Sequence, residues 1–189
     1  MAGQVPPVKD ERDGLLAYLD QMRLVMRLTA YGLTDEQARA MPTVSPLSIG
    51  GLIKHVASVE RSWMNTVLQS DRTRTTDDYE TNFQMTSAET LADVLALYEA
   101  ASDSTDNVMA GFELDDPVPV PKGVPWFPDD VDAWSIRWVL LHLIQETARH
   151  TGHADIIRES IDGATAFPLM AAAEGWPATP WMTPWAPSS

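Results

Sequence analysis

An amphipathic helical pattern in the last third of the chain carries polar residues on the face that should be buried. Between Ile136 and Ile161, residues spaced alternately three and four apart fall on one side of a helix. They are Val139, Leu143, Glu146, His150, Ala154, Ile157 and Ile161. Glu146 and His150 stand where apolar residues belong, and a buried charge is retained at lowest cost when it is paired, hydrogen-bonded or coordinated to a cation. The pattern predicts a long helix with a functional site on its inner face.

Three of the four histidines lie on this same face. Glu146 and His150 are four residues apart, so their side chains diverge by only about 40° around the axis and can reach one point. The other two histidines of this helix are His142 and His153. His55 lies at the edge of the apolar face of a second helical pattern, residues 47–68, from which it could lean toward a neighbouring helix. Two imidazoles and one carboxylate suit a zinc, nickel or ferrous ion with open positions for water or substrate.

Composition narrows the classes of function. A chain of 189 residues is long enough for one domain with a substantial core, and we expect a single domain over residues 1–189. The absence of cysteine excludes disulfides, thiolate ligands and a cysteine nucleophile, so any thiol must come from a small molecule. A net charge of -14 argues against nucleic acid and anionic membrane surfaces as partners. Without a long apolar run or a signal-peptide pattern, we expect a cytoplasmic protein.

Four long helical patterns predict an all-α four-helix bundle. They cover residues 15–30, 47–68, 86–112 and 132–161. The predicted boundary residues are Gly32 at the end of the first helix and the N-caps Ser45, Thr86 and Asp132. Thr34 with Gln37 predicts a capping box for one further short turn of helix. No pair of strands is expected. We therefore expect the four-helix bundle to form the whole body of the domain, residues 11–163.

The remaining segments are predicted to be irregular. Residues 70–85 are polar and lack periodicity, which predicts a connection. Residues 113–132 are rich in proline and acidic residues around Trp126 and Phe127, and so long a connection could form a lid at the open end of the bundle. The prolines after Gly163 predict an irregular tail over residues 164–189. Its tryptophans, at positions 176, 181 and 185, predict that the tail packs on the body of the protein or on a second subunit. A homodimer is therefore one of the two alternatives.

Two segments resemble motifs of the DinB/YfiT-like superfamily. The segment Glu-Thr-Ala-Arg-His-Thr-Gly-His, which begins at Glu146, is similar to its last-helix motif, and Ile49–Glu60 is similar to its second-helix motif. The resemblance spans about residues 11–163 and favours the mycothiol-dependent subgroup, in which the last helix carries Glu and His. It implies an up-down-down-up bundle with a divalent metal held by His55, Glu146 and His150.

The resemblance also implies an activity. The resemblance suggests that the chain is a metal-dependent S-transferase. Such an enzyme activates a low-molecular-weight thiol, with mycothiol as co-substrate, for attack on an electrophile, and its role would be detoxification. Zinc is the first choice of metal, with nickel and iron open. Two alternatives remain: a non-haem iron oxidoreductase using the same His/Glu/His set, and a noncatalytic metal-binding bundle of the stress response. The sequence ends without the additional C-terminal domain of the maleylpyruvate isomerase, so the shorter transferases are the closer comparison.

Several neighbouring residues have two interpretations. His153, His142 and Arg149 are candidates to contact a substrate or to hydrogen-bond a metal ligand. The alternatives are a structural role for the two histidines and a salt bridge for Arg149. Glu146 with His150 could also be only an ion pair within one helix. Trp63, Trp134 and Trp138 are predicted to be core residues, and Glu60 to lie on a solvated face or in an inter-helix pair.

Overall fold

Four helices of 19 residues or more form the body of the molecule in a computed structural model, which describes residues 3–70 and 81–187. They are α1 (Glu11–Thr29), α3 (Ile49–Val67), α4 (Leu91–Met109) and α5 (Ile136–Asp162). Two shorter helices are α2 (Asp35–Arg39) and α6 (Ala166–Glu174). The predicted capping box of Thr34 and Gln37 opens α2. The described residues therefore form the all-α architecture that the periodicity predicts.

Hydrogen bonds at both ends show that α1 and α5 run parallel. Arg137, at the start of α5, donates to the Glu11 carboxylate at the start of α1. Arg158, near the end of α5, donates to the Thr29 carbonyl at the end of α1, 2.8 Å away. The side chain of Arg158 is fully buried, so this second contact is part of the core rather than a surface pair. Helices one and four of the bundle therefore point the same way.

The directions of α3 and α4 follow from similar contacts. Arg12 near the start of α1 donates to the carbonyls of Met109 and Phe112 at the end of α4, so these two helices are antiparallel. Lys54 in the first half of α3 forms an ion pair of 2.7 Å with Glu89, two residues before α4, so α3 and α4 are parallel. The order is therefore up-down-down-up, as the resemblance implied.

The core is divided into two apolar clusters by a layer of buried polar side chains. One cluster is built around Met26, Ile53, Val56 and Tyr98, and the other around Leu19, Trp63, Met109 and Leu143. Between them lie the buried residues Arg23, Glu60, Ser102, Thr105, Thr147 and Thr151. Each helix contributes to this layer where its sequence passes from one cluster to the other.

Arg23 and Glu60 form the charged centre of that layer. Arg23 Nε lies 3.1 Å from Glu60 Oε1 and Nη2 lies 2.6 Å from Oε2, a bidentate pair in which both side chains are almost completely buried. Arg23 also bonds Asp20 and Asp106 through Nη1. Of the two settings predicted for Glu60, the structure shows the inter-helix pair. The sequence analysis did not predict that Glu60 is buried.

Three predicted N-caps are wrong by three or four residues. Ser48 rather than Ser45 caps α3, Thr90 rather than Thr86 caps α4, and Ser135 rather than Asp132 caps α5. In each case the true cap is a Ser or Thr side chain that accepts from the backbone N–H three residues on. Thr86 and Glu89 do form a local turn, but it ends before α4 begins.

The segment before α5 contains a strand pair that the sequence analysis did not expect. Strand β1 (Pro117–Pro119) pairs antiparallel with β2 (Ala133–Ser135), with Val118 opposite Trp134. In a two-stranded sheet both strands are edges, so prolines whose missing N–H would face outward are tolerated. The pair anchors the two ends of the proline-rich connection. Residues 71–80 of the other predicted connection lie outside the described residues.

The C-terminal segment is also more ordered than predicted, because it forms α6. Pro168 is the third residue of that helix, where its missing N–H would have no intrahelical acceptor. Trp185 then packs on the body of its own chain. Its indole lies 4.8 Å from the Arg158 guanidinium carbon and 5.9 Å from the Tyr31 ring, and it closely approaches Gly32, which has φ +72°.

We expect the Trp185→Ala variant to lose about 2 kcal/mol of unfolding free energy, since truncation of a half-buried tryptophan removes part of the cost known for fully buried ones. For a chain of this size that corresponds to a fall in Tm of about 4–8 °C. The matched control is Trp181→Ala, because Trp181 is 76% exposed and the change should cost under about 0.5 kcal/mol. Urea denaturation of both variants measures the difference. Equal effects would show that the Trp185 contacts add nothing.

Candidate metal centre

Helices α3 and α5 bring a carboxylate and two imidazoles together at the level of the polar layer. Glu146 Oε1 lies 3.3 Å from His55 Nε2 and 3.2 Å from His150 Nε2. One donor atom from each residue lies within 4.8 Å of the donor atoms of the other two. Because His55 comes from α3 and the other two from α5, the group forms only when the bundle is assembled. The three residues that the resemblance implied as ligands therefore converge.

The donor spacing is compatible with a bound metal ion. Charge-assisted N–H···O bonds are typically about 2.7–2.9 Å long, and both nitrogen–oxygen separations here are longer. In a tetrahedral site with bonds of about 2.0–2.1 Å, neighbouring donors are about 3.3 Å apart. The two nitrogen–oxygen separations match that edge length, and two imidazoles with one carboxylate are a donor set that zinc and other divalent ions accept. The residues present therefore fit a divalent cation.

The carboxylate of Glu146 is held in its anionic form. The hydrogen bond with His150 is the largest cause that lowers its pKa far below the usual range, and the bond with His55 acts the same way, against the opposing effect of partial burial. Glu146 is therefore ionised throughout the neutral range. A ligand must be deprotonated to bind a cation, so this electrostatic arrangement prepares the site.

His55 is held by an aromatic ring from a segment that two glycines of its own helix allow to approach closely. The Phe83 ring stacks on the imidazole with centroids 3.8 Å apart and planes 17° apart, and His55 is only 5% exposed. A Cβ atom at Gly51 would overlap the Phe83 carbonyl, and one at Gly50 would overlap the Met85 side chain. The Gly-Gly pair of the second-helix motif thus lets the 83–85 segment lie directly on α3. The sequence analysis did not identify Phe83, since no periodicity marks it.

His150 is positioned by ring contacts rather than by a hydrogen bond to its second nitrogen. Its Nδ1 is buried and has no hydrogen-bond partner among the described residues. Its ring lies 4.6 Å from that of His55, 5.8 Å from Phe83 and 5.6 Å from His153. The Nδ1 of His153 is likewise buried and without a partner in the described part of the chain. His153 therefore borders the group but supplies none of its three donors.

His142 and Arg149 stand outside the donor group. The His142 ring stacks on Trp138 and meets Trp63 edge-on, with centroids 5.2 and 4.9 Å away. Burial lowers the pKa of His142, against a weaker opposing effect of Glu146, so the imidazole is neutral at neutral pH. Arg149 is exposed and forms no hydrogen bond or ion pair with any described residue, so the salt bridge predicted as its alternative is not seen there.

The three donors do not line the groove between α1 and α4. That groove, of about 910 Å³, is lined by Arg23, Arg27 and several acidic side chains. It opens on the side of the bundle where these two helices leave a gap, whereas the donors lie between α3 and α5. The candidate centre is therefore defined by its converging donors rather than by cavity size.

Comparison with known proteins places this donor group in a family. The family model described as mycothiol-S-transferase matches residues 14–163, from the first turn of α1 to the glycine that ends α5. The chain belongs to the mycothiol-S-transferase family. The match includes all three donors and leaves α6 and the Trp185 segment outside it.

A solved structure shows the same fold as this mycothiol-S-transferase family member. It is the crystal structure of a conserved protein from Enterococcus faecalis, with a TM-score of 0.57, 14% sequence identity, and coverage of 83% of this chain and 100% of that one. At that identity the likeness concerns the fold alone. No curated protein matches the chain. Within the described residues, no helix has both the length and the apolar character needed to cross a lipid bilayer.

Proposed function

We propose that this chain is a metal-dependent thiol S-transferase that conjugates mycothiol to electrophiles, and that His55, Glu146 and His150 hold the metal. Zinc is the first choice, because two imidazoles and one carboxylate with room for one further ligand are typical of catalytic zinc sites. The role in the cell would be detoxification of reactive electrophiles. Both substrates are small molecules, so the reaction requires no macromolecular partner.

The observation that carries the proposal is the convergence of three donors from two helices in a chain of this family. A chain without cysteine has no thiol of its own to act as nucleophile, so the sulfur has to be delivered by the co-substrate. A divalent ion, when bound, lowers the pKa of a thiol next to it and so favours the thiolate at neutral pH.

The residues of the chain supply position and charge rather than covalent chemistry. His55 and His150 direct their Nε2 atoms, and Glu146 one carboxylate oxygen, to a common point. Phe83 covers one face of His55 and keeps water from it. In the reaction the thiol loses its proton to solvent, its sulfur forms a bond to an electrophilic carbon, and the leaving group departs with the electron pair of the broken bond.

The His150→Ala variant tests the proposal. We expect the wild-type, metal-loaded protein to conjugate mycothiol to monobromobimane, and the variant to retain at most about 1% of that rate, since it loses one of three protein ligands. The matched control is Gln145→Ala, an exposed position on the same helix turn, which should keep the wild-type rate. Fluorescence of the bimane conjugate measures the rate directly.

Three results would contradict the proposal. Equal conjugation rates for wild type and His150→Ala would separate the reaction from the donor group. Stoichiometric iron with oxygen uptake and no conjugation would indicate the oxidoreductase alternative instead. A metal that raises Tm while every thiol and electrophile pair stays unreacted would indicate a noncatalytic bundle.

A further inference from the structure

Six aromatic rings form a continuous cluster beside the donor group, at the seam between α3 and α5. The cluster consists of Trp63, Trp126, Phe127, Trp134, Trp138 and His142. Trp63 is 6% exposed and contacts four of the other rings, so packing in the core is sufficient to explain its position. Core packing does not explain the rings that remain open to solvent.

The cluster and the donors form one row along α5. Trp138, His142, Glu146 and His150 follow one another at four-residue intervals, so each side chain lies about 6 Å along the axis from the next. On α3, Trp63 faces His142 while His55, two turns earlier, faces Glu146. Along the contact between these two antiparallel helices, the aromatic rings therefore lie at one end and the metal-binding residues at the other.

Three rings of the cluster form a parallel stack directed toward the donors. Trp134 and Trp138 lie 4.5 Å apart with planes 7° from parallel, and Trp138 and His142 lie 5.2 Å apart with planes 4° from parallel. His142 is the member of this stack closest in the row to Glu146, four residues or about 6 Å away along the axis. A flat ring that joined the stack would therefore lie within one turn of the donor group.

Exposure indicates that the cluster can receive a ligand. Trp138 is 37% exposed and Trp126 is 69% exposed, although both belong to a group of rings that would gain from further burial. Scattered exposed apolar side chains need no explanation, but these two belong to one connected group of rings, in which Trp126 contacts Phe127 and Trp138 contacts Trp134 and His142. Rings also favour other rings, in offset-stacked or edge-to-face contacts.

We infer that the aromatic cluster is the binding subsite for the electrophile and that it selects electrophiles carrying an aromatic ring. This inference rests on the proposed function, because it assigns a place to the second substrate of that reaction. The class it implies is an aryl or benzylic electrophile, whose ring lies against the cluster while the reactive carbon attached to the ring lies at the donor group. Sulfur bonds to that carbon, and the leaving group departs with the bonding electrons.

The Trp138→Leu variant tests the inference, since leucine keeps an apolar side chain and removes the ring. The probes are 4-nitrobenzyl chloride and iodoacetamide, two electrophiles of which only the first is aromatic, with mycothiol as the thiol. We expect the ratio of KM for the nitrobenzyl compound to KM for iodoacetamide to rise about three- to tenfold, as the loss of one ring–ring contact predicts. Trp181→Leu is the matched control, remote and exposed, and should leave the ratio unchanged.

A binding measurement separates this inference from the proposed function. Calorimetric titration of the metal-loaded protein with the unreactive 4-nitrobenzyl alcohol should show binding that Trp138→Leu weakens by the same factor and Trp181→Leu does not. If binding behaves so but no electrophile is conjugated, the subsite stands and the transferase proposal fails. If conjugation proceeds while the ratio and the binding are unchanged in Trp138→Leu, or if both electrophiles are affected equally, the subsite is overturned and the transferase proposal stands. A protein that neither binds nor conjugates contradicts both.

Discussion

The Glu146→Gln variant is expected to lose at least about 100-fold in affinity for zinc. Changes to residues that only support a ligand already cost about 10- to 100-fold, and Glu146 is proposed to be a ligand itself. Glutamine keeps the size and the hydrogen-bonding capacity of the side chain, but it removes the one negative charge of the donor set. The two imidazoles that remain come from different helices. Titration of the apo protein with zinc against a competing chelator measures the affinity.

A charge-matched control separates coordination from the general attraction of an acidic protein for cations. The chain carries a net charge of -14, so any loss of a carboxylate lowers that attraction slightly. The double variant Glu146→Gln with Gln145→Glu restores the net charge at an exposed position one residue away. Its affinity should stay as low as that of Glu146→Gln alone. Recovery of zinc binding in the double variant would show that charge in the region, and not the Glu146 oxygen, holds the ion.

The Arg23→Leu variant should be less stable than wild type by about 3–5 kcal/mol. Removal of the guanidinium leaves the Glu60 carboxylate buried without its bidentate partner, and such unpaired buried charges cost about that much. At about 2–4 °C per kcal/mol for a chain of this size, Tm should fall by roughly 6–20 °C. Urea denaturation with a fixed slope measures the change in unfolding free energy.

The double variant Arg23→Leu with Glu60→Leu tests the cause of that loss. Replacement of both charges by apolar side chains removes the unpaired carboxylate, so the double variant should be more stable than Arg23→Leu alone. The Asp106 carboxylate, which is half exposed, can be solvated by water and should add little. A double variant that is less stable than the single one would show that Arg23 stabilises the bundle through other contacts, such as those to Asp20 and Asp106.

The face of α5 could be predicted because its polar residues interrupt a long and regular apolar pattern. Nothing in that helix identifies its partner on α3, and His55 was assigned from the resemblance of its segment to a family motif. Phe83, which stacks on His55, lies in a stretch without periodicity, so only the folded chain shows its role. Gly51 carried a usable signal, since a glycine within a helix often marks a close approach of another segment.

Helix ends were predicted less well than helices, because the chain offers several capping residues within one turn. Thr86 with Glu89 and Thr90 with Asp93 both have capping-box spacing, and tertiary contacts decide between them. The carbonyls of Thr86 and Glu89 accept from Arg39, and the backbone N–H of Leu91 donates to Asp35. These long-range bonds hold the first box outside the helix.

The buried pair of Arg23 and Glu60 was missed because charged residues are rarely buried. A signal was present, however. Arg23 lies four residues after Leu19 and three before Met26, and Glu60 lies four residues after Val56 and three before Trp63. Opposite charges at inward positions of two helices predict a buried pair.

The central claim is that His55, Glu146 and His150 bind one divalent ion. Diffraction data from zinc-loaded crystals, collected above and below the zinc absorption edge, test it most directly. The account predicts one anomalous peak between α3 and α5, about 2.0–2.2 Å from His55 Nε2, Glu146 Oε1 and His150 Nε2. A peak elsewhere, or no peak while the three side chains keep their present positions, would contradict it.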